Sequence, residues 1–331
     1  MKVDLRCGDA LALMREMPDC SVQTCVTSPP YWGLRDYGVA GQLGLERTPQ
    51  EYVERMVEVF REVRRVLRDD GTCWVNLGDS YASGGRGCGQ AGPDGEKQRS
   101  NVGALLGPKR APEGLKDKDL VGIPWRVAFA LQADGWWLRS DIIWAKPNPM
   151  PESVTDRPTK SHEYLFLLTK SARYYYDAKA IAEEAETVDT RRPYGSPGAN
   201  ALDPRGKQGE GKQRWPGIGP QHATERDRGE KYEPMQTHLT RNARSVWTIA
   251  TSPYHDAHFA TFPPELPRRC ILAGSKPGDT VLDPFAGAGT TGLVADRLGR
   301  SFIGLELNPE YVTLARRRIA ADCPLFNEPE G

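Results

Sequence analysis

The run Asp283-Pro284-Phe285-Ala286-Gly287-Ala288-Gly289-Thr290-Thr291-Gly292 constrains this chain more than any other stretch. It joins the apolar segment TVLD to the helical pattern TTGLVADRLG, and its glycines satisfy G-x-G-x-x-G, a turn that needs backbone conformations and close approaches denied to residues with a Cβ. Such a strand-turn-helix unit needs a second parallel strand to pack its helix, and SFIGLELN at 301–308 supplies one, with Glu306 near its end. A glycine turn at a strand's carboxyl end lets a ligand approach the backbone, and an acid on the next strand takes two ribose hydroxyls. Neither feature demands a pyrophosphate. Asp283, directly before the turn, would set a carboxylate where pyrophosphate charge must bind and suits an ammonium better. These residues leave a dinucleotide and another nucleoside cofactor both open.

The rest of the chain repeats the alternation. SVQTCV at 21–26 is a short β-type run feeding the proline-rich TSPPYWGLRDYG. Thr48-Pro49-Gln50-Glu51 has a capping Thr, Pro at the first helical position and Glu three residues past the cap. Val53, Met56, Val57, Phe60, Val63 and Leu67 then recur on one face, so a helix is expected until Gly71. TCWVNLGD at 72–79 reads as a buried strand, and 123–135 as a helix with Val127, Phe129, Ala130 and Leu131 inside. The strands WWLRSDIIWAK and EYLFLLTK follow, then the helix PPELPRRCILAG, the glycine unit and the helix PEYVTLARRRIAA. This pattern predicts an α/β fold, a mostly parallel twisted sheet with helices on both faces.

Two stretches interrupt it. Residues 84–118 hold nine Gly, seven basic and four acidic residues and read as a mobile loop. Residues 186–245 hold eleven Lys or Arg against eight Asp or Glu and read as an insertion without its own core. The expected division is therefore 1–185, an insertion at 186–245, and 246–331. Net charge is zero, with 44 basic and 44 acidic side chains, but a locally basic insertion keeps nucleic acid open as a partner. No run of about 18 apolar residues occurs and the N-terminus lacks a signal-type h-region, so a soluble cytoplasmic protein with no membrane partner is expected. The seven scattered cysteines show no C-x-x-C and no zinc-ligand spacing, so no metal is expected.

Thr27-Ser28-Pro29-Pro30-Tyr31-Trp32 sits at a strand end, where open α/β sheets place their ligands. Two successive prolines stiffen the loop and leave carbonyls without local N–H competitors. If Ser28 Oγ and the Pro29 carbonyl accept the two hydrogens of an exocyclic amino group, its nitrogen is drawn toward tetrahedral geometry and its lone pair becomes a nucleophile. Tyr31 offers a flat face on which the ring bearing that group could stack.

DPFAGAGTTG with FIGLELNPEY, and TSPPYW with them, resemble the signatures of S-adenosylmethionine-dependent DNA amino-methyltransferases, the N4-cytosine/N6-adenine family. The catalytic motif precedes the cofactor motif, which matches the permuted β group of that family. The resemblance implies a Rossmann-like methyltransferase fold with circularly permuted motif order and an inserted DNA-recognition segment. It implies Ser28, Pro29, Pro30 and Tyr31 as catalytic. It implies Asp283, Phe285, Gly287 and Gly289 along the methionine and backbone side of the cofactor, Glu306 on the ribose, and Asp9, within Gly8-Asp9, on the adenine. HFATFP at 258–263 is similar to the methionine-carboxylate segment, implicating Phe259 and Thr261. WAKPNPMPESVTDRPTKSHEYLFLLTKS at 144–171 is similar to a later region of the family.

For double-stranded DNA, candidate phosphate or base contacts are Arg191, Arg192, Lys212, Arg214 and Arg241 in the insertion. Lys146, Asn148 and Arg157 in the proline-rich 146–158 loop are candidates for the DNA cleft. The implied function is site-specific transfer of methyl to the amino nitrogen of a flipped base. Ser at the first motif position accompanies mostly N4-cytosine enzymes in the family, which favours cytosine N4, with adenine N6 as the alternative. A cognate restriction endonuclease is a candidate partner, and a monomer or homodimer the expected state. Rival chemistries fit less well. Cytosine C5 methylation needs a cysteine next to proline in that family, and no cysteine follows a Pro. A zinc deaminase needs H-x-E with P-C-x-x-C. An NAD-dependent oxidoreductase would use the glycine turn but leaves the Pro-Pro-Tyr turn unexplained.

Overall fold

A computed structural model describes residues 2–82, 114–184, 240–251 and 262–322. In chain order the elements are β1 Val3–Cys7, α1 Ala10–Arg15, β2 Val22–Thr27, α2 Pro49–Val66, β3 Leu67–Leu77, α3 Ile123–Ala133, β4 Trp137–Ala145, β5 His162–Thr169, β6 Glu183–Glu184, β7 Thr240–Arg241, β8 Val246–Thr248, α4 Glu265–Gly274, β9 Thr280–Asp283, α5 Thr290–Arg297, β10 Ser301–Glu306 and α6 Pro309–Asp322. Two compact units result, Met1–Ile181 with Ala243–Gly331, and Ala182–Asn242.

The larger unit holds an eight-stranded sheet in the order β1-β10-β9-β2-β3-β5-β4-β8. Only β5 runs against its neighbours, pairing antiparallel with both β3 and β4. Side chains alternate across the sheet, so consecutive residues of one strand serve two different cores. Cys25, Cys73, Val75, Leu77, Phe166 and Leu168 join the cluster covered by α1, α2 and α3. Val26, Trp74, Leu165, Leu167, Val281 and Phe302 join the cluster covered by α4, α5 and α6. No described helix is long and apolar enough to cross a membrane.

The start of α2 follows its sequence signals: Thr48 Oγ1 accepts the Glu51 amide at 3.1 Å and Pro49 opens the first turn. Its end does not. The helix stops at Val66, and Leu67 turns extended to begin β3, five residues before the strand expected from Thr72. Leu67 remains fully buried in the same core, so the apolar spacing continues while the backbone changes conformation. Phe129 of α3 is 55% exposed, contrary to its expected core position. Val127 and Leu131 lie one turn apart on the buried face, whereas two residues from Val127 rotates a side chain about 200° away. Phe129 instead packs on Trp125, one turn earlier, with centroids 5.4 Å apart.

The smaller unit contributes β6 and β7, whose antiparallel pairing sets Glu184 opposite Thr240. The ends of the intervening 185–239 segment therefore meet across one ladder.

Candidate active site

Because β1, β10, β9, β2 and β3 are mutually parallel, their carboxyl ends fall along one edge of the sheet. The reversed direction of β5 sets its beginning at this edge too, beside the end of β4, with Glu163 opposite Trp144. The described residues of the glycine turn and the Pro-Pro-Tyr turn converge here.

In the cofactor half, Gly287 and Gly289 have φ of 50° and 75°, conformations that strain any other residue. Their surroundings differ. A Cβ on Gly289 would lie 2.8 Å from that of Ala315 in α6, and one on Gly292 would lie 2.5 Å from the Phe302 ring, so these two glycines bring helix and strand together. A Cβ on Gly287 would meet nothing closer than 3.9 Å, which leaves this backbone open to a ligand. The Asp283 carboxylate is 1% exposed and accepts the Thr27 and Thr291 hydroxyls, each at 2.7 Å, and the Phe285 amide at 3.0 Å. Burial raises its pKa to about 6, the three donors opposing the shift only in part. Glu306 accepts the amides of Gly287 and Asn308, both at 2.8 Å, and burial raises its pKa as well. Each of its oxygens keeps a second lone pair for a hydroxyl. Asp9 caps α1 by accepting the Ala12 amide at 2.8 Å, at an exposed position following β1. Phe285 is half-buried at the mouth of the turn.

In the motif half, the Pro30 carbonyl accepts the Tyr52 hydroxyl of α2 at 2.8 Å, which pins the Pro-Pro turn to the buried helix. Ser28 Oγ donates to Tyr31 Oη at 3.4 Å, and Tyr31 Oη donates to Glu163 Oε2 at 2.6 Å. The Asn76 amide of β3 donates to Tyr31 Oη at 2.7 Å and to Glu163 Oε2 at 2.8 Å, with Ser28 Oγ at 3.4 Å. The Tyr31 ring lies so close over Gly78 that a Cβ there would meet it at 2.5 Å. The adjacent Trp32 is a core residue whose Nε1 donates to the Glu46 carbonyl at 2.9 Å.

Thr27 ends β2 and Ser28 follows it, so the Thr27–Asp283 hydrogen bond brings the two halves side by side across 256 residues. Among the other expected contacts, Lys146 forms an ion pair with Glu163 and lies 4.3 Å from the Trp144 ring centre. Asn148 accepts the Thr251 amide at 2.9 Å, and Arg157 pairs with Glu152 at 2.7 Å while covering the Tyr81 ring. Arg241 pairs with Glu183 at 3.4 Å. Arg191, Arg192, Lys212, Arg214, Phe259 and Thr261 lie outside the described residues. Sequence reasoning missed Asn76, Glu163, Thr27 and Thr291. The available signal was a polar residue within or directly beside an otherwise apolar strand or turn.

A glycine turn with a ribose-type acid beside a rigid Pro-Pro-Tyr turn at one sheet edge defines a Rossmann-like methyltransferase. The sequence profile of the N6/N4 DNA methylase family matches residues 22–317. The type II methyltransferase M.Cfr9I of Citrobacter freundii is 48% identical over 95% of this chain and 87% of its own length. M.SmaI of Serratia marcescens is 46% identical over 94% and 89%. A Thermus thermophilus structure assigned as a DNA modification methylase, complexed with S-adenosyl-L-methionine, has a TM-score of 0.55 at 25% identity, covering 98% and 96%. The cytosine-N4-specific PvuII DNA methyltransferase has a TM-score of 0.61 at 19% identity, covering 100% and 88%, and shares the fold. The chain belongs to the N6/N4 DNA methylase family, and it is a DNA methyltransferase acting on an exocyclic amino nitrogen.

Proposed function

We propose that this cytoplasmic enzyme methylates cytosine N4 in duplex DNA at a specific sequence, using S-adenosyl-L-methionine. The observation that supports the reading is the Thr27–Asp283 hydrogen bond at 2.7 Å, which brings the Pro-Pro-Tyr turn directly beside Asp283. The residues fit the cofactor's chemistry. Asp283, buried among neutral donors, would hold its ammonium, Glu306 its ribose hydroxyls, and Asp9 its adenine. Gly287, with Gly289, leaves backbone open along it, and Phe285, Phe259 and Thr261 would complete the methionine end. When bound, this group supplies an electrophilic methyl on a sulfonium. Ser28 Oγ and the Pro29 carbonyl accept the amino hydrogens and turn the nitrogen lone pair outward, while Tyr31 stacks on the flipped ring. Flipping costs a few kcal/mol, which contacts to DNA must offset.

The two-acceptor geometry serves cytosine N4 and adenine N6 alike, since both are amino groups conjugated to a ring nitrogen. Ser28 at the head of the motif favours cytosine. Mass spectrometry of nucleosides from DNA treated with the enzyme is expected to show N4-methylcytosine. N6-methyladenine in its place would overturn the choice of base and leave the fold and mechanism standing.

Recognition of the DNA sequence is assigned to residues 186–245, with Arg191, Arg192, Lys212, Arg214 and Arg241 as contacts and Lys146, Asn148 and Arg157 flanking the cleft. Relatives named as type II methyltransferases support a cognate restriction endonuclease as partner. Since Glu184 pairs with Thr240, a short linker can replace residues 186–239. The shortened protein is expected to keep its stabilisation by S-adenosylhomocysteine and to lose site-specific methylation. Methylation of unchanged sites would reduce the segment to a linker.

A further inference from the structure

The methylated amino nitrogen is briefly a cation and must lose a proton, and the proposed function so far names no group to receive it. Behind the Pro-Pro-Tyr turn the hydroxyls are aligned for that transfer. Ser28 Oγ donates to Tyr31 Oη at 3.4 Å, and Tyr31 Oη donates to Glu163 Oε2 at 2.6 Å, so both hydroxyls lead toward one carboxylate. The first contact is long, as catalytic hydrogen bonds often are before substrate binds.

The surrounding groups leave Glu163 as the terminus. Toward this carboxylate Asn76 presents its amide nitrogen and Lys146 its ammonium, both donors only. Tyr31 is held protonated, burial and the adjacent Glu163 pushing its pKa well above the ordinary phenol value. Asn76 Oδ1 is buried without a hydrogen-bond partner while its Nδ2 serves Tyr31 and Glu163. A buried acceptor left unsatisfied weakens the folded state, which marks this arrangement as kept for the site's chemistry rather than for stability. The charged and titratable groups facing the carboxylate are Lys146 directly after β4, Tyr31 from the turn after β2, and Lys160 just before β5, with His162 adjacent on β5.

We infer that Glu163 takes up the proton of the methylated amino group through Ser28 and Tyr31. The inference rests on the proposed role of Ser28 at the amino group. As the N–CH3 bond forms from the nitrogen lone pair, the S–CH3 bond breaks with its electrons left on sulfur. The nitrogen then gives a proton to Ser28 Oγ, the Ser28 proton passes to Tyr31 Oη, and the Tyr31 proton passes to Glu163 Oε2. Glu163 ends as a neutral acid beside Lys146 and later releases the proton to solvent. It acts through Tyr31 and Ser28, as a positioning and proton-accepting residue that does not touch the base.

The test is the single-turnover rate of methyl transfer to unmethylated duplex DNA in H2O and in D2O, with S-adenosyl-L-methionine kept saturating. The wild type is expected to transfer more slowly in D2O, because protons move along the relay. Glu163→Gln is expected to lower the rate about 100-fold and to abolish that solvent isotope effect, with the melting shift produced by S-adenosylhomocysteine unchanged. Tyr31→Phe, which keeps the ring but cuts the relay and leaves the Glu163–Lys146 pair in place, is expected to do the same and decides the matter should Glu163→Gln not fold. A wild-type rate in either folded variant, or a lowered rate with the solvent isotope effect intact, overturns the inference. Absence of transfer by the wild type to any DNA would instead overturn the proposed function.

Discussion

Ser28→Ala and Tyr31→Ala each lower the methyl-transfer rate by about 100-fold or more, and neither weakens S-adenosylhomocysteine binding by more than about twofold. In the proposed mechanism Ser28 Oγ is one of two acceptors for the amino hydrogens, and without it the nitrogen lone pair would stay delocalised into the ring. Tyr31→Ala removes the ring proposed to stack on the base and the hydroxyl between Ser28 and Glu163. Base stacking on an aromatic side chain alone contributes about 1–3 kcal/mol. Both residues stand outside the glycine turn, with Thr27 and not Ser28 holding Asp283. Rapid-quench transfer assays read the first quantity and ligand-induced melting the second. A Ser28→Ala or Tyr31→Ala protein that no longer responds to S-adenosylhomocysteine would contradict this division of labour.

The second large effect concerns Asp283. Asp283→Ala is expected to weaken S-adenosylhomocysteine binding about 100-fold, because the ligand's ammonium would enter a buried site with no anion to meet it. The pH dependence sharpens the expectation. The carboxylate has a pKa of about 6 in the folded protein, above its ordinary value of 3.8. Its ionised form, the one that binds an ammonium, is therefore lost as pH falls through about 6, and affinity drops by up to about tenfold per unit below that point. Stability of the ligand-free protein moves the opposite way. Between 3.8 and about 6 the folded state binds this proton more readily than the unfolded chain, so this group favours folding increasingly as pH falls across that window. Glu306, also raised by burial, adds to the same trend. Melting curves from pH 5 to 8 with and without S-adenosylhomocysteine should show a ligand shift that shrinks toward pH 5 and, in Asp283→Ala, is small throughout. An equal shift at both ends would remove Asp283 from the ammonium site.

Much of this protein was legible locally. Glycines at 287, 289 and 292, an acid ending the next strand and a Pro-Pro-Tyr turn are short-range patterns whose backbone requirements are fixed within a few residues. The Thr48 cap and the strand-helix alternation are likewise local, and they led to the correct fold class. The failures were where local pattern meets tertiary context. Leu67 kept the helical spacing yet began a strand, and Phe129 was apolar but turned outward. The short β1, half-exposed for most of its length, carried too little apolar signal to be read.

What the sequence could not decide was which distant residues would meet. Asp283 meets Thr27 across 256 residues only because β9 is neighbour to β2, with Thr24 paired to Val281. Glu163 reaches Tyr31 across 132 residues because β5 runs antiparallel between β3 and β4. Had β5 joined the sheet in the parallel direction, its first residues would lie at the opposite edge and the same glutamate would face no catalytic group. Motif chemistry was set by residue type and spacing within each turn. The partners of that chemistry were set by strand order and direction, which depend on burying both faces of the sheet at once.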